Sequence, residues 1–419
     1  MKVLAAVSII GAAVLLALPC GAHAQTYTVL HVFSGRPDGA LPYAGLIRDS
    51  AGNFYGTTSG GGAFNFGTVF KMTPTGTVNI LYSFRGAADQ ENPWSGLIRD
   101  ARGNLFGTTF GYLEGGENSN FGTVFRISPT GQETTIHSFA GLPTDGANPV
   151  AGLVRDAAGN FYGAVPYGGT GTVCGAFVNT GCGIIYKIDA TGKETVLYNF
   201  TGGTDGADPY GTLIIDRQGN LYGTTPLGGD LSCNAPYGCG TVFKVDSSGN
   251  ETVLYSFGAQ PNDGEEPYVT LVRDAVGNFY GTTDWGGTGP CSNGAVRVGC
   301  GTVFKLDPSG KETVLYSFQG GFDGENPTAA VILDAAGNVY GTVQAGGSTA
   351  CPAGCGLVFR VDKTGKKTNL HVFKGKDGSL PLAGLIRDAA GNFYGTTLNG
   401  GGAQSCGSEG CGVVFKIAP

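Results

Sequence analysis

Gly391-Asn392-Phe393-Tyr394-Gly395-Thr396-Thr397 decides the fold, because nearly the same seven residues open at Gly52, Gly103, Gly159, Gly219, Gly277 and Gly337 as well. Between the Asn residues of these copies (Asn53, Asn104, Asn160, Asn220, Asn278, Asn338 and Asn392) the chain advances by 51, 56, 60, 58, 60 and 54 residues. A period of that size is the signature of a repeat architecture.

Outward from the heptad, each repeat holds four short apolar runs, as in the fifth: Pro267 to Asp274, Asn278 to Thr283, Gly301 to Leu306 and Glu312 to Phe318. Runs rich in Val, Ile, Tyr, Phe and Thr, bounded by Gly, Asp and Pro, predict strands. An Asp-x-x-Gly turn joins the first two, and Asp307-Pro308-Ser309-Gly310 joins the last two. In such turns the Asp bonds amides ahead of it and the Gly takes a positive φ. Four antiparallel strands per unit, with no helical periodicity, make a propeller blade.

The strand of Gly-Thr-Val-Phe-Lys type begins seven times, at Gly67, Gly122, Gly183, Gly240, Gly301, Gly356 and Gly412, and the last copy runs into Pro419. The seventh repeat thus lacks a fourth strand, while Thr26 to Phe33 is a fourth strand with no third before it. The expected fold is all-β: a single seven-bladed β-propeller of four-stranded antiparallel blades over residues 25–419, closed by that N-terminal outer strand. Closure of this kind leaves no unpaired terminal edge.

The pattern G-L-I-R-D-x-x-G-N-x-Y-G-T-T-x-x-G-G, followed by G-T-V-F-K and E-T-V-L-Y-S-F, resembles the GloVer tandem repeat of exported bacterial proteins that carry a choice of C-terminal anchors. The resemblance spans essentially all of residues 25–419 and implies secretion and a propeller-like repeat. It brings no activity and no catalytic residues. A sorting tail of the anchored kind is not evident at Ile417-Ala418-Pro419.

Lys2, the apolar run from Val3 to Leu18 and Ala22-His23-Ala24 read as a signal peptide over residues 1–24, cleaved near Ala24. The expected product is secreted or periplasmic, without a membrane span. Net charge is −7 for the whole chain, with Lys and Arg scattered, so the footprint of a nucleic-acid binder is missing. A monomer is expected.

Ten cysteines remain beyond the leader, as five local pairs: Cys174/Cys182, Cys233/Cys239, Cys291/Cys300, Cys351/Cys355 and Cys406/Cys411. Each pair lies between the second and third strands of repeats three to seven, its second Cys directly before the Gly of the third strand. Phe66 and Phe121 hold that place in repeats one and two. An even count in an exported chain points to disulfides; zinc would need further ligands.

His31, His137 and His371 share one outer-strand position, filled elsewhere by Tyr82, Tyr198, Tyr255 and Tyr316. In separate blades they cannot converge on one metal or form a Ser-His-Asp triad. One carboxylate series, Asp49, Asp100, Asp156, Asp216, Asp274, Asp334 and Asp388, opens the Asp-x-x-Gly turns. A second lies in the loop entering each blade: Asp38, Asp145, Asp205, Asp263, Asp323 and Asp377, with Asp89-Gln90 in the second repeat. Turn formation accounts for both, although oxygen-rich loops also suit Ca2+; no other cofactor is expected. Arg48, Arg99, Arg155, Arg273 and Arg387 precede the first series, either paired with Asp or lining the channel to receive an anion.

Just after each entering-loop Pro stand Tyr43, Trp94, Tyr210 and Tyr268, against Val150, Thr328 and Leu382 in the other repeats. Together with Trp285, Glu91, Asp208 and Glu266 they form a candidate arc at the channel mouth. Aromatic faces beside acids suit sugars, although such rings also serve to pack blades together. The favoured function is a binding module for an extracellular glycan, another polar ligand or a protein. A propeller enzyme of lactone-hydrolase or polysaccharide-lyase type is the alternative, and a structural envelope protein the third. Near-symmetric repeats argue against the enzyme, which needs unlike groups in one pocket.

Overall fold

The computed structural model describes residues 25–86, 91–111, 120–141, 143–172, 174, 181–292 and 298–419. The leader, residues 1–24, and Asp89-Gln90 lie outside the described residues. Seven four-stranded antiparallel sheets form the blades of a propeller. The fifth blade is typical, with strands Val272–Arg273, Phe279–Thr283, Thr302–Leu306 and Glu312–Ser317. The seventh takes Ile386–Arg387, Phe393–Thr397 and Val413–Ala418 from the C-terminal end, and Thr26–Val32 from the N-terminal end. Thr26 lies opposite Ala418 and Val32 opposite Val413, so the ring closes through a two-terminus blade.

Each seam between blades is held by an aromatic pair. The Phe that ends one outer strand meets, edge to face, the aromatic residue in the third strand of the next blade. Phe33–Phe70, Phe84–Phe125, Phe139–Tyr186, Phe200–Phe243, Phe257–Phe304, Phe318–Phe359 and Phe373–Phe415 have centroids 5.1 to 5.3 Å apart. Edge-to-face pairs of this kind contribute about 0.5 to 1.5 kcal/mol each beyond burial. Tyr186 is the one hydroxylated member, and its buried OH has no partner.

The innermost strands are shorter than the apolar runs predict: two residues each, as at Val272–Arg273. Upstream of them the backbone bonds to the neighbouring blade instead. The first Thr of the Gly-Thr-Thr triplet donates its hydroxyl across the seam, Thr57 to the carbonyl of Ser95, Thr224 to Val269 and Thr396 to Ala44. Thr108, Thr282 and Thr342 do the same toward Ala151, Ala329 and Ala383. Ladder bonds within a blade are thereby exchanged for bonds that clamp successive blades around the axis.

At the far ends of these strands the Asp-x-x-Gly turns carry a fixed network. Asp216 Oδ1 accepts the amide of Asn220, and its Oδ2 accepts Asn220 Nδ2 and the Tyr222 hydroxyl. The Gln218 amide is a fourth donor, and in blade two, where Phe106 replaces the Tyr, Asp100 keeps the Arg102 and Asn104 donors. The bonds to Asp216 hold its carboxyl below the usual range, against the opposing push of burial.

Candidate functional site

The entering loops and the loops between second and third strands share one face, as their mutual hydrogen bonds show. The residue before each entering-loop Pro is left-handed: Leu41, Asn92, Asn148, Asp208, Glu266, Asn326 and Leu380 have φ between 53° and 59°. Seven non-glycine residues at positive φ hold strain that their surroundings must overrule. Two contacts do so. The amide of each donates to the carbonyl at the second-Cys position of the preceding blade: Asp208 to Cys182, Glu266 to Cys239, Asn326 to Cys300, Leu380 to Cys355, Leu41 to Cys411. Phe66 and Phe121 accept from Asn92 and Asn148 in the same way. The following Pro then packs on the Gly after that Cys or Phe. At Gly240 a Cβ would lie 2.7 Å from the Pro267 ring, and its φ is +95°, so only glycine fits there.

The cysteine loops are therefore the anchors of a ring of seven strained residues around the channel mouth. Disulfides join Cys174–Cys182, Cys233–Cys239, Cys291–Cys300, Cys351–Cys355 and Cys406–Cys411. In the first two blades a ring takes the disulfide's place, Phe66 against Gly86 and Phe121 against Gly141, as Cys233 lies against Gly258.

On this ring the side chains separate into two chemistries. In blades one and two, Tyr43 stacks on Trp94 at 5.1 Å and Trp94 on Phe110 at 4.1 Å, making a continuous aromatic slab. Tyr43 is 37% exposed, and Trp94 is half-buried. In blades three to five the Tyr167 and Tyr210 hydroxyls are 2.9 Å apart, and Tyr210 meets Tyr268 edge-on at 5.3 Å. Asp208, Glu266 and Asp284 stand among these phenols. The Tyr268 hydroxyl donates to Glu266 at 3.4 Å. Burial pushes the Asp208 and Asp284 carboxyls up to about 7, and one oxygen of each is buried without a partner. Burial also raises Glu91 and Glu266.

Of the arc read from the sequence, Trp285 pairs with Glu265 in a two-residue ladder with its own entering loop, the register position that Tyr167 holds against Ala147 in blade three, and Asp284 precedes it by one residue. Phe110, Tyr167 and Asp284 were missed. An alignment of the two residues after Gly-Thr-Thr would have found them, since Ser59, Phe110, Pro166, Pro226, Asp284, Gln344 and Leu398 vary at the first and Tyr167 stands at the second. A cavity of about 740 Å3 runs between the cysteine loops of blades six and seven, reaching Leu380 at the mouth and lined also by Lys374, Lys376 and Glu409.

The second carboxylate series caps its own loops. Asp205 accepts the Thr201 amide and the Tyr198 hydroxyl, and Asp377 accepts the Lys374 amide and His371 Nε2 at 2.9 Å. Arg99 and Arg387 lie over aromatic rings, Tyr55 and Phe393. Arg48, Arg155 and Arg273 reach across seams to Asp388, Asp100 and Asp216 at 3.8 to 3.9 Å and lie over aromatic rings, as Arg48 does over Phe54. Among the described residues, the mouth acids Asp208, Glu266 and Asp284 do not form a set of three carboxylates within metal-ligand reach of one another.

No helix among the described residues is long and apolar enough to cross a membrane. Among curated proteins, none matches this sequence. The fold is similar to the extracellular domain of a B. thetaiotaomicron protein assigned as a one-component system, at TM-score 0.51 and 16% identity over 92% of this chain and 40% of that one. The chain therefore spans about two fifths of that relative's length. A Bacteroides uniformis protein assigned as a 6-phosphogluconolactonase gives TM-score 0.49 at 13% identity, over 82% of this chain and 88% of that one. A Xanthomonas campestris gluconolactonase gives 0.41 at 14%, over 76% and 86%. The family model of the Gloeobacter/Verrucomicrobia repeat matches residues 18–235, 171–297 and 229–419, in tandem along the propeller. The chain belongs to the Gloeobacter/Verrucomicrobia repeat family.

Proposed function

We propose that this propeller is an exported binding module whose channel mouth takes a carbohydrate or a similar polar extracellular ligand. The observation that carries the reading is the pair of buried, unpartnered carboxyl oxygens on Asp208 and Asp284 beside a row of phenols. A buried polar atom without a partner costs about 1 to 3 kcal/mol, so a ligand hydroxyl that bonded it would recover that cost. Near neutral pH these carboxyls are only part ionised and serve as donor or acceptor, which suits hydroxyls better than a fixed charge. The Tyr43–Trp94–Phe110 slab supplies the apolar face on which a pyranose ring stacks.

Screening the purified protein on a glycan array, with and without Ca2+, tests this. Trp94→Ala and Tyr210→Ala should abolish the binding that wild type shows while melting as wild type does. Binding that survives both substitutions, or a wild type that binds no saccharide, refutes the reading.

A further inference from the structure

One seam departs from the others at its outer end, where three side chains meet: the Tyr or His of one outer strand, the Asp of the next entering loop, and the first residue of the next outer strand. At five other seams the Tyr or His bonds the Asp directly. His31 bonds Asp38 at 2.9 Å with Val78 as the third member. His371 bonds Asp377 at 2.9 Å, and Tyr27 stacks on the imidazole at 3.7 Å. Tyr198 and Tyr255 bond Asp205 and Asp263, with Glu251 and Glu312 alongside. Tyr316 bonds Asp323, where Lys367 closes an ion pair at 2.9 Å.

Between blades two and three the members are His137, Asp145 and Glu194, among the described residues the one seam that joins an imidazole to two carboxylates. Here the His does not bond the Asp. Its Nε2 stands 3.9 Å from Asp145 Oδ2 and 3.5 Å from Glu194 Oε2, is buried, and has no hydrogen-bond partner. The far oxygen of Glu194 is buried and unpartnered, as are those of Glu251 and Glu312 at the Tyr seams, so the unpartnered imidazole nitrogen is what sets this seam apart. One ligand atom from each of the three lies within 4.8 Å of the other two. Asp145 is held in place by the amides of Ala140 and Gly146.

We propose that His137, Asp145 and Glu194 form a binding site for a divalent transition-metal ion of the Zn2+ class. Ligand atoms about 2.0 to 2.2 Å from a tetrahedral Zn2+ stand roughly 3.3 to 3.6 Å from one another. The 3.5 Å separation fits that edge, and the 3.9 Å one needs a shift of a few tenths of an ångström. An imidazole among the donors selects against Ca2+ and Mg2+, which take oxygen ligands. Two carboxylates neutralise the dication, and the fourth position is left to water. Exposures of 13 to 15% for the three side chains leave a path for the ion.

The other seams supply the control substitutions, since each residue introduced already serves at the same place in this ring. His137→Tyr copies Tyr198, and Glu194→Lys copies Lys367. Titration of chelator-treated full-length protein with ZnCl2, followed by calorimetry and by melting, should show one equivalent bound and a raised Tm. Each substitution should weaken that binding by more than about tenfold. The X-ray absorption spectrum of the loaded wild type should show one imidazole and oxygen ligands. Failure of wild type to bind Zn2+, unchanged binding in both variants, or a spectrum without imidazole would overturn the site; the spectrum decides even if a variant misfolds.

Discussion

The two faces of this propeller are built on one repeat and differ in what the repeat leaves unfinished. On the face of the Asp-x-x-Gly turns, the same carboxylate takes the same Asn amide and side chain in all seven blades, as at Asp49 and Asp388. On the mouth face the backbone is equally regular, with seven left-handed residues each bonded to the preceding blade, but the side chains vary from Leu41 to Asp208 and Glu266. Symmetry there is kept by main chain and given up by side chains. The difference teaches that the regular face stabilises the ring, whereas the mouth face holds groups whose hydrogen bonding is incomplete.

Removing residues 25–34 breaks the regular half most severely, because it strips the outer strand from blade seven and uncovers Phe415 and Val414. Stability should fall by several kcal/mol, a large part of what a domain has, read by denaturant unfolding. An unchanged melting temperature would mean that the ring closes otherwise. Next in size is loss of a mouth anchor: Cys351→Ser with Cys355→Ser should cost about 2 kcal/mol on the chain-entropy argument for so short a loop. Peptide mapping without reduction should find five loop-local disulfides and none across blades.

The comparison is sharpest between two aspartates. Asp216→Ala removes the acceptor of four hydrogen bonds and should destabilise by about 1 to 3 kcal/mol. Asp208→Asn should instead be neutral or stabilising by about 1 kcal/mol at pH 8, since it removes a carboxylate whose ionisation burial opposes. A loss at Asp208 as large as at Asp216 would erase the distinction between the faces.

The smallest effect is on pH dependence, and its sign differs between the faces. Asp216 and its equivalents are held low, so their contribution is present above the ordinary aspartate value near 4 and is lost as pH falls through the lower folded value. Asp208 and Asp284 are raised to about 7, so the folded protein binds more protons than the unfolded chain between about pH 4 and 7. Their contribution is full below about pH 4, is lost as pH rises toward 7, and levels off above. Melting temperature measured from pH 5 to 8 should therefore decline, and decline less in Asp208→Asn.

Blade number, blade order and the closing strand were legible because Gly-Asn-x-Tyr-Gly-Thr-Thr and Gly-Thr-Val-Phe-Lys repeat with the chain. The brevity of the innermost strands was not, since a Thr hydroxyl bonding a neighbouring blade leaves no trace in apolar periodicity. His137 and Glu194 lie in different repeats, and only the seam brings them together.

Hydroxyl-radical footprinting, with and without the saccharide that binds most tightly, tests the mouth face most directly. Protection should concentrate on Tyr43, Trp94, Tyr210 and Tyr268, with Phe322 and Val276, 73% and 76% exposed, unchanged. Protection of Phe322 or Val276 with the four mouth rings left reactive would contradict it.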